Sequence, residues 1–354
     1  MATIKLKKEY FSLFLIACCI YLIFRFPTAV KEGVNEGISI CFYTIIPSLF
    51  PFLTLSTYIV KSNILSPFYK IFSSPVKLFF QQPASSASVI ILSMIGGFPV
   101  GIKMTNDLYI KGQITKEQAQ RLCLFCMNAG PAFVITAVGT NMLNSTKAGI
   151  IIFSSLCLSA FISGIISSFI AEKNNNVSNL KKEKPLQLSS LSASVTDAIQ
   201  CIFNICAWVV LFSSITECIE TFKLPEKAYL CIISFLEVTK GCSVLSGLLP
   251  LPIITGIIGF GGICVHCQVL EYIKNMEIKY IYFFITRILN GVLSGIITYV
   301  LLIFFPVEIN VFSNTDKISS YSFSFSYSAF FVFIIMCVIM IFDIDRNKKY
   351  DRMN

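Results

Sequence analysis

A chain of 354 residues that is 55% hydrophobic and only 13% charged carries about half the charge of a water-soluble domain, which excludes an ordinary soluble fold. A net charge of +9 would suit nucleic acid, but in so apolar a chain it records basic loops beside a membrane, and no nucleic-acid partner is expected. The 14 cysteines are scattered through apolar blocks, where a thiol acts as a small hydrophobe, so a disulfide framework is excluded as well.

Apolar blocks at 11–30, 37–60, 147–171, 195–216, 251–270, 280–306 and 326–342 are each long enough, or nearly so, to cross a hydrocarbon core of ~30 Å. They are continuous rather than alternating, which predicts helices, the form that satisfies its own amides in lipid. Lys5, Lys7 and Lys8 precede the first block, which runs on to Arg25-Phe26-Pro27 without a small-x-small cleavage site. That predicts a retained anchor helix.

Lys and Arg mark the cytoplasmic side. Stretches 5–8, 61–77 (Lys61, Lys70, Lys77), 173–184 (Lys173, Lys181, Lys182, Lys184) and 346–352 (Arg346, Lys348, Lys349, Arg352) are basic and predicted inside. Stretches 31–36 and 307–317 carry at least as many acids as bases and are predicted to be external loops. With 61–77 and 103–121 both inside, the apolar stretch 84–101 must enter and leave on one face. The same count makes 228–249 re-entrant from the outside. The expectation is an all-α integral membrane protein of about eight transmembrane helices plus two re-entrant hairpins, with both termini cytoplasmic.

The halves then run alike in opposite orientation. The predicted organisation is an anchor at 1–36, a first repeat at 37–172, a cytoplasmic linker at 173–194 and an inverted second repeat at 195–306. An external loop, last helix and basic tail follow at 307–354. Inverted repeats with helices broken at matching places are the mark of a secondary-transporter core.

Five places break the helices. Pro47 and Pro51 withhold two amide donors. Gly96-Gly97-Phe98-Pro99-Val100-Gly101, followed by Lys103, turns the first hairpin, and Asn128-Ala129-Gly130-Pro131 interrupts the next helix. In the second half stand Glu237-Val238-Thr239-Lys240-Gly241 and Gly259-Phe260-Gly261-Gly262, followed by His266 and Gln268. Irregular backbone at membrane depth survives where it is buried in protein or lines a wet cavity. Opened helix N-termini turn partial positive charge toward that cavity, which suits an anion.

Candidate substrate-binding residues are therefore Pro99, Gly101, Lys103, Asn128, Gly130, Glu237, Thr239, Lys240, Gly241, Gly261, Gly262, His266 and Gln268. Lys103 and Lys240 are expected to attract the anion, with snorkelling to headgroups the alternative. Glu237 and Lys240, three apart, could pair on one helical face. His266, the single histidine, could carry a proton or be structural. Arg287 and Asn290 share a helix face. Cys123-x-x-Cys126 and Cys264-x-x-Cys267 lie within apolar helices rather than loops, so neither a metal nor another cofactor is expected. A Walker loop, a Ser/His/Asp arrangement and an HExxH motif are all missing, and an enzyme is not expected.

These stretches, with Ile114-Thr115-Lys116-Glu117-Gln118-Ala119, Phe125-Cys126-Met127-Asn128-Ala129-Gly130-Pro131-Ala132-Phe133 and Ile263-Cys264-Val265-His266-Cys267-Gln268-Val269, resemble the sporulation integral membrane protein YlbJ family over most of the chain. The resemblance implies paired "Gate" (nucleoside-recognition) domains, shared with concentrative nucleoside transporters and ferrous-iron permeases. It also implies a membrane of an endospore-forming bacterium, a part in spore-cortex formation, and movement of dipicolinic acid across the outer forespore membrane. The expected partners are a small organic anion, the lipid bilayer and a coupling ion, with proton and sodium both admissible. A nucleoside or metal-ion permease and a non-transporting scaffold for cortex assembly are the alternatives.

Overall fold

Proline and glycine set where these helices start and stop. In the computed structural model, which describes residues 17, 20–21, 23–62, 66–169 and 191–307, the regular structure is helical, with no strand among the described residues. Most of the anchor helix, most of the linker, and the last helix with its loop and tail lie outside the described residues.

Helix α1 (Pro27–Ile40) begins with a proline in its first turn, where a missing amide costs nothing. It runs through a π-helical turn, Cys41–Ile45, into α2 (Ile46–Ser62) without a loop. The wide turn falls just before Pro47 and Pro51, whose missing donors disturb the regular ladder. The external loop expected at 31–36 is therefore helix. Its reason is tertiary: Gly33 and Gly37 bring α1 against α8 (Leu191–Glu220). A methyl on Gly33 would meet Ser213 O and Ser214 Cα at 2.6 Å, and one on Gly37 would meet Val210 Cα at 2.7 Å.

The basic loop expected at 61–77 is also largely helical, as α3 (Ser66–Phe80). Phe72, Leu78 and Phe79 are exposed on it, with Lys77 in the last turn. Charge alone reads such an amphipathic segment as a loop, although it suits a membrane interface.

The remaining elements follow the predicted order. Helices α4 (Ser86–Gly96) and α5 (Phe98–Ile110) meet at Gly97. Thr115 starts α6 (Lys116–Phe125) with a capping box: its hydroxyl accepts from Gln118 N at 3.3 Å, and its amide donates to Gln118 Oε1 at 2.9 Å. Irregular backbone at 126–130 leads into a π-helix, Ala132–Met142, and then α7 (Thr146–Phe169). The second half has α9 (Glu226–Leu236), α10 (Val238–Leu245), α11 (Leu251–Phe260), α12 (Gly262–Asn275) and α13 (Tyr280–Phe304). The order of a broken pair, a second broken pair and a long closing helix thus occurs twice. Among the described residues, helix α3 has no counterpart in the second half.

Among the described residues, four stretches are long and apolar enough to cross a bilayer: α7, α8, α11 with α12, and α13. Helix α13 shows what solvent they suit. Ile281, Ile285, Leu289, Val292, Ile296 and Ile303 face outward, while Arg287, Asn290, Ser294 and Thr298 are buried. That arrangement is inside-out for water and right for lipid. Small residues let the helices touch: a methyl on Gly291 would meet Gly256 O at 2.7 Å, and one on Gly295 would meet Pro252 O at 2.9 Å.

Candidate functional site

The four breaks meet. Gly97 joins α4 to α5 with φ +84°, a left-handed value that side-chain-bearing residues rarely adopt. A methyl on Gly130, in the break after α6, would sit 3.1 Å from Gly97 N and 3.1 Å from Ile95 O. The second half repeats the contact. Gly261 and Gly262 join α11 to α12 with φ +90° and +71°, and a methyl on Gly262 would meet Val238 N at 3.1 Å and Leu236 O at 3.3 Å. The halves touch where a methyl on Gly261 would meet the Phe98 ring at 3.3 Å and Met127 Cε at 3.8 Å. Glycine at each crossing removes the Cβ that would hold the backbones apart.

Most of the predicted residues lie on these breaks. Pro99 occupies the first turn of α5, and a methyl on Gly101 would overlap the carbonyl oxygen of Cys126. Asn128 is buried and donates from Nδ2 to Phe125 O at 2.8 Å, closing the end of α6. Gly241 packs on Ser234, where a methyl would lie 2.7 Å from Cα, and so fastens α10 to α9. Gln268 is buried, with Nε2 3.6 Å from Cys264 Sγ, and its carbonyl accepts from Asn204 Nδ2 at 3.3 Å.

Glu237 departs from the expected pairing with Lys240. It is buried in the break before α10, and its carboxylate accepts the backbone amides of Thr239 (3.0 Å) and Lys240. It caps the helix, so the N-terminus of α10 already holds an anion belonging to the protein. The termini of α5 and α12 have no side-chain cap.

The two lysines are treated differently. Lys240 Nζ lies 3.2 Å from Glu36 Oε2 and closer still to Glu217 Oε1. Its charge is met by two carboxylates of the protein itself. Lys103, 8% exposed, donates to Thr57 Oγ1 of α2 at 3.1 Å, a neutral partner. One turn on, Asn106 is buried with Oδ1 lacking a hydrogen-bond partner. Residues three apart share a helix face, so an ammonium, a donor, and an unpartnered carbonyl oxygen, an acceptor, stand on the same side of α5. Asp107, Asp197 and Tyr272 are in the same neighbourhood, around the Cys201 thiol.

His266 is structural. Its Nε2 lies 3.1 Å from Phe260 O, a pure acceptor, so Nε2 carries the proton; Nδ1, 3.0 Å from Tyr280 Oη, then accepts. The ring is fully buried among Phe260, Phe283 and Phe284. Arg287 belongs to the same support. It donates to Gly259 O at the end of α11, and with Asn290 Oδ1 turned toward it, Nη1 and Nη2 lie at 3.1 and 3.3 Å. Ser159 of α7 completes the chain through Asn290.

Thr57, Asn106, Glu36 and Ser159 are additions that sequence reasoning missed. Glu36 was hidden in the supposed loop, and the others are ordinary polar residues in apolar helices. Among the described residues, no group of three or more His, Cys, Asp and Glu side chains is placed to hold a metal ion.

Over 343 residues the chain is 26% identical to the sporulation integral membrane protein YlbJ of Bacillus subtilis (strain 168), a match that covers 84% of this chain and 82% of that protein. Neither a protein-family profile nor a solved structure matches it.

Proposed function

We propose that this integral membrane chain, similar to a protein named for sporulation, belongs with the YlbJ family and is a carrier for a small organic anion, dipicolinate, and not an enzyme. The observation that carries this reading is the meeting of four helix breaks beside a buried lysine whose contact is a neutral hydroxyl. A carrier needs backbone groups that can part and re-form around a substrate, and broken helices supply them. Dipicolinate is a planar dianion. The Lys103 ammonium and the uncapped start of α5 supply the positive charge and the amide donors that a carboxylate requires.

The finer architecture follows the same proposal. The chain crosses the membrane about eight times, carries re-entrant hairpins at 84–101 and 228–249, and has Gate-type repeats of opposite orientation. Both termini are cytoplasmic, in the outer forespore membrane. The repeated order of broken pairs supports this reading, and the basic loops put Lys103 toward the cytoplasm and Lys240 toward the outside.

The test is uptake of labelled dipicolinate into liposomes holding the purified protein. Saturable uptake that excess nucleoside leaves alone, and that Lys103→Ala abolishes without loss of insertion, is the expected result. Inserted protein that moves no dipicolinate, or moves it equally well as Lys103→Ala, overturns the reading. Competition by nucleoside would favour the permease alternative.

A further inference from the structure

We infer that Glu36, Lys240 and Glu217 form a single-proton site that couples proton entry to movement of the α9–α10 hairpin. This rests on the carrier reading and names its coupling ion. Three kinds of group near the breaks could take a proton. His266 is excluded by geometry, because both ring nitrogens are engaged in holding Phe260 O and Tyr280 Oη. Glu237 is set apart because both carboxylate oxygens accept backbone amides, which favours its ionised form. Glu36 and Glu217 differ from both, since each leans on one ammonium, Lys240 Nζ.

Two carboxylates and one ammonium sum to one uncompensated negative charge in a partly buried place. Like charges held close to one another favour protonation of one of them. The Lys240 side chain is 11% exposed, Glu217 19% and Glu36 35%, so the carboxylates are less enclosed by protein than the lysine. The charged and titratable groups around the site come from four helices. Helix α1 gives Glu36, α8 gives Glu217 and Glu220, α9 gives Tyr229, and α10 gives Lys240, with Glu237 at its cap. Tyr229 Oη donates to Glu220 Oε2 at 3.3 Å, at an open depression also lined by Lys223 and Glu226.

The mechanical consequence follows from which elements the triad joins. Helices α1 and α8 form one frame through Gly33 and Gly37. Lys240 sits in the first turn of α10, directly after the break that packs on Gly262. The triad ties that hairpin to the frame. A proton arriving at Glu36, the more exposed of the two, turns one carboxylate into a neutral acid, which removes one of the two charges holding Lys240. The hairpin is then held by a single ion pair and is freer to leave Gly262.

Infrared difference spectra of the full protein in liposomes, taken as pH falls from about 8 to about 5, read carboxyl protonation without any substrate. One protonated-carboxyl band should grow in, and Glu36→Gln and Glu217→Gln should each remove it, while Glu277→Gln at the surface leaves it. An inward proton gradient should accelerate dipicolinate uptake in the unmodified protein and in neither of the first two variants. A band unchanged in both Glu36→Gln and Glu217→Gln overturns the site, as does gradient-independent uptake with no carboxyl band. A band lost in both variants in a protein that never moves dipicolinate leaves the proton site standing and removes the substrate reading instead.

Discussion

Lys103 and Lys240 hold equivalent stations, each just beyond a helix break, yet their surroundings oppose one another. Lys240 is held between two carboxylates supplied by α1 and α8, whereas Lys103 touches the hydroxyl of Thr57 and stands beside an unsatisfied asparagine. Helix α8 reaches both neighbourhoods, with Asp197 near the Lys103 end and Glu217 at the Lys240 end, separated by about 30 Å of helix. A repeat supplies two similar frameworks, and side chains from elsewhere decide what each becomes. One end is a tie that holds the hairpin; at the other the lysine's hydrogen bond goes to a hydroxyl.

Glycine crossings should break this arrangement hardest. Gly101→Ala drives a methyl into the Cys126 carbonyl, and overpacking against backbone costs about 3 kcal/mol or more. Gly241→Ala meets Ser234 Cα at 2.7 Å and should cost less. Melting of the two variants in detergent should therefore rank Gly101→Ala below Gly241→Ala; the reverse order would place the tighter joint at the Lys240 end.

Substituting the lysines sharpens the contrast. Lys240→Met strands two carboxylates and should cost about 2 kcal/mol, below the usual loss for a buried pair because Glu36 keeps access to water. Lys103→Met gives up one hydrogen bond to a hydroxyl, about 1 kcal/mol, but should abolish dipicolinate uptake. Sites this far apart should add in the double variant. Equal stability losses for the two variants would contradict the difference in their partners.

Glu237→Ala tests the capped terminus and should cost about 1 kcal/mol, read from thermal melting. The uncapped start of α5 has no equivalent residue to lose.

The smallest effect belongs to Lys116 and Glu277, which tie the start of α6 to the turn after α12 at 2.7 Å. Each holds the other's charge, so the Glu277 carboxyl lies below its ordinary range and the Lys116 ammonium above its own. The carboxylate's share of stability is present above the ordinary carboxylate range and fades as pH falls through the lowered value. The lysine's share persists through neutral pH and fades as pH rises through the raised one. With side chains 42% and 70% exposed, Glu277→Gln should shift melting only at low salt and not at all near ~0.5 M.

Much of the fold was legible in the residues. Gly97, Asn128 to Gly130, Glu237 and Gly261 with Gly262 announced their breaks, because left-handed turns and missing donors belong to particular residue types. The charged stretches 31–36 and 61–77 misled, since charge on an amphipathic helix resembles charge in a loop and only the packing of Gly33 and Gly37 separates them. The site was legible as a set of stations but not as a set of partners. Lys103 and His266 were marked by being ionisable in apolar surroundings, whereas Thr57 lies 46 residues from Lys103, and Glu36 lies 204 from Lys240.

By itself the sequence determined that this is a helical chain for a membrane, where its helices break, and which residues carry charge into them. These are consequences of local composition and backbone chemistry. Only the tertiary structure decided that the breaks touch, that Lys240 meets two carboxylates while Lys103 meets the Thr57 hydroxyl, and that both ring nitrogens of His266 are engaged. Each depends on which distant side chain arrives within a hydrogen bond's reach, and packing, not local pattern, sets that.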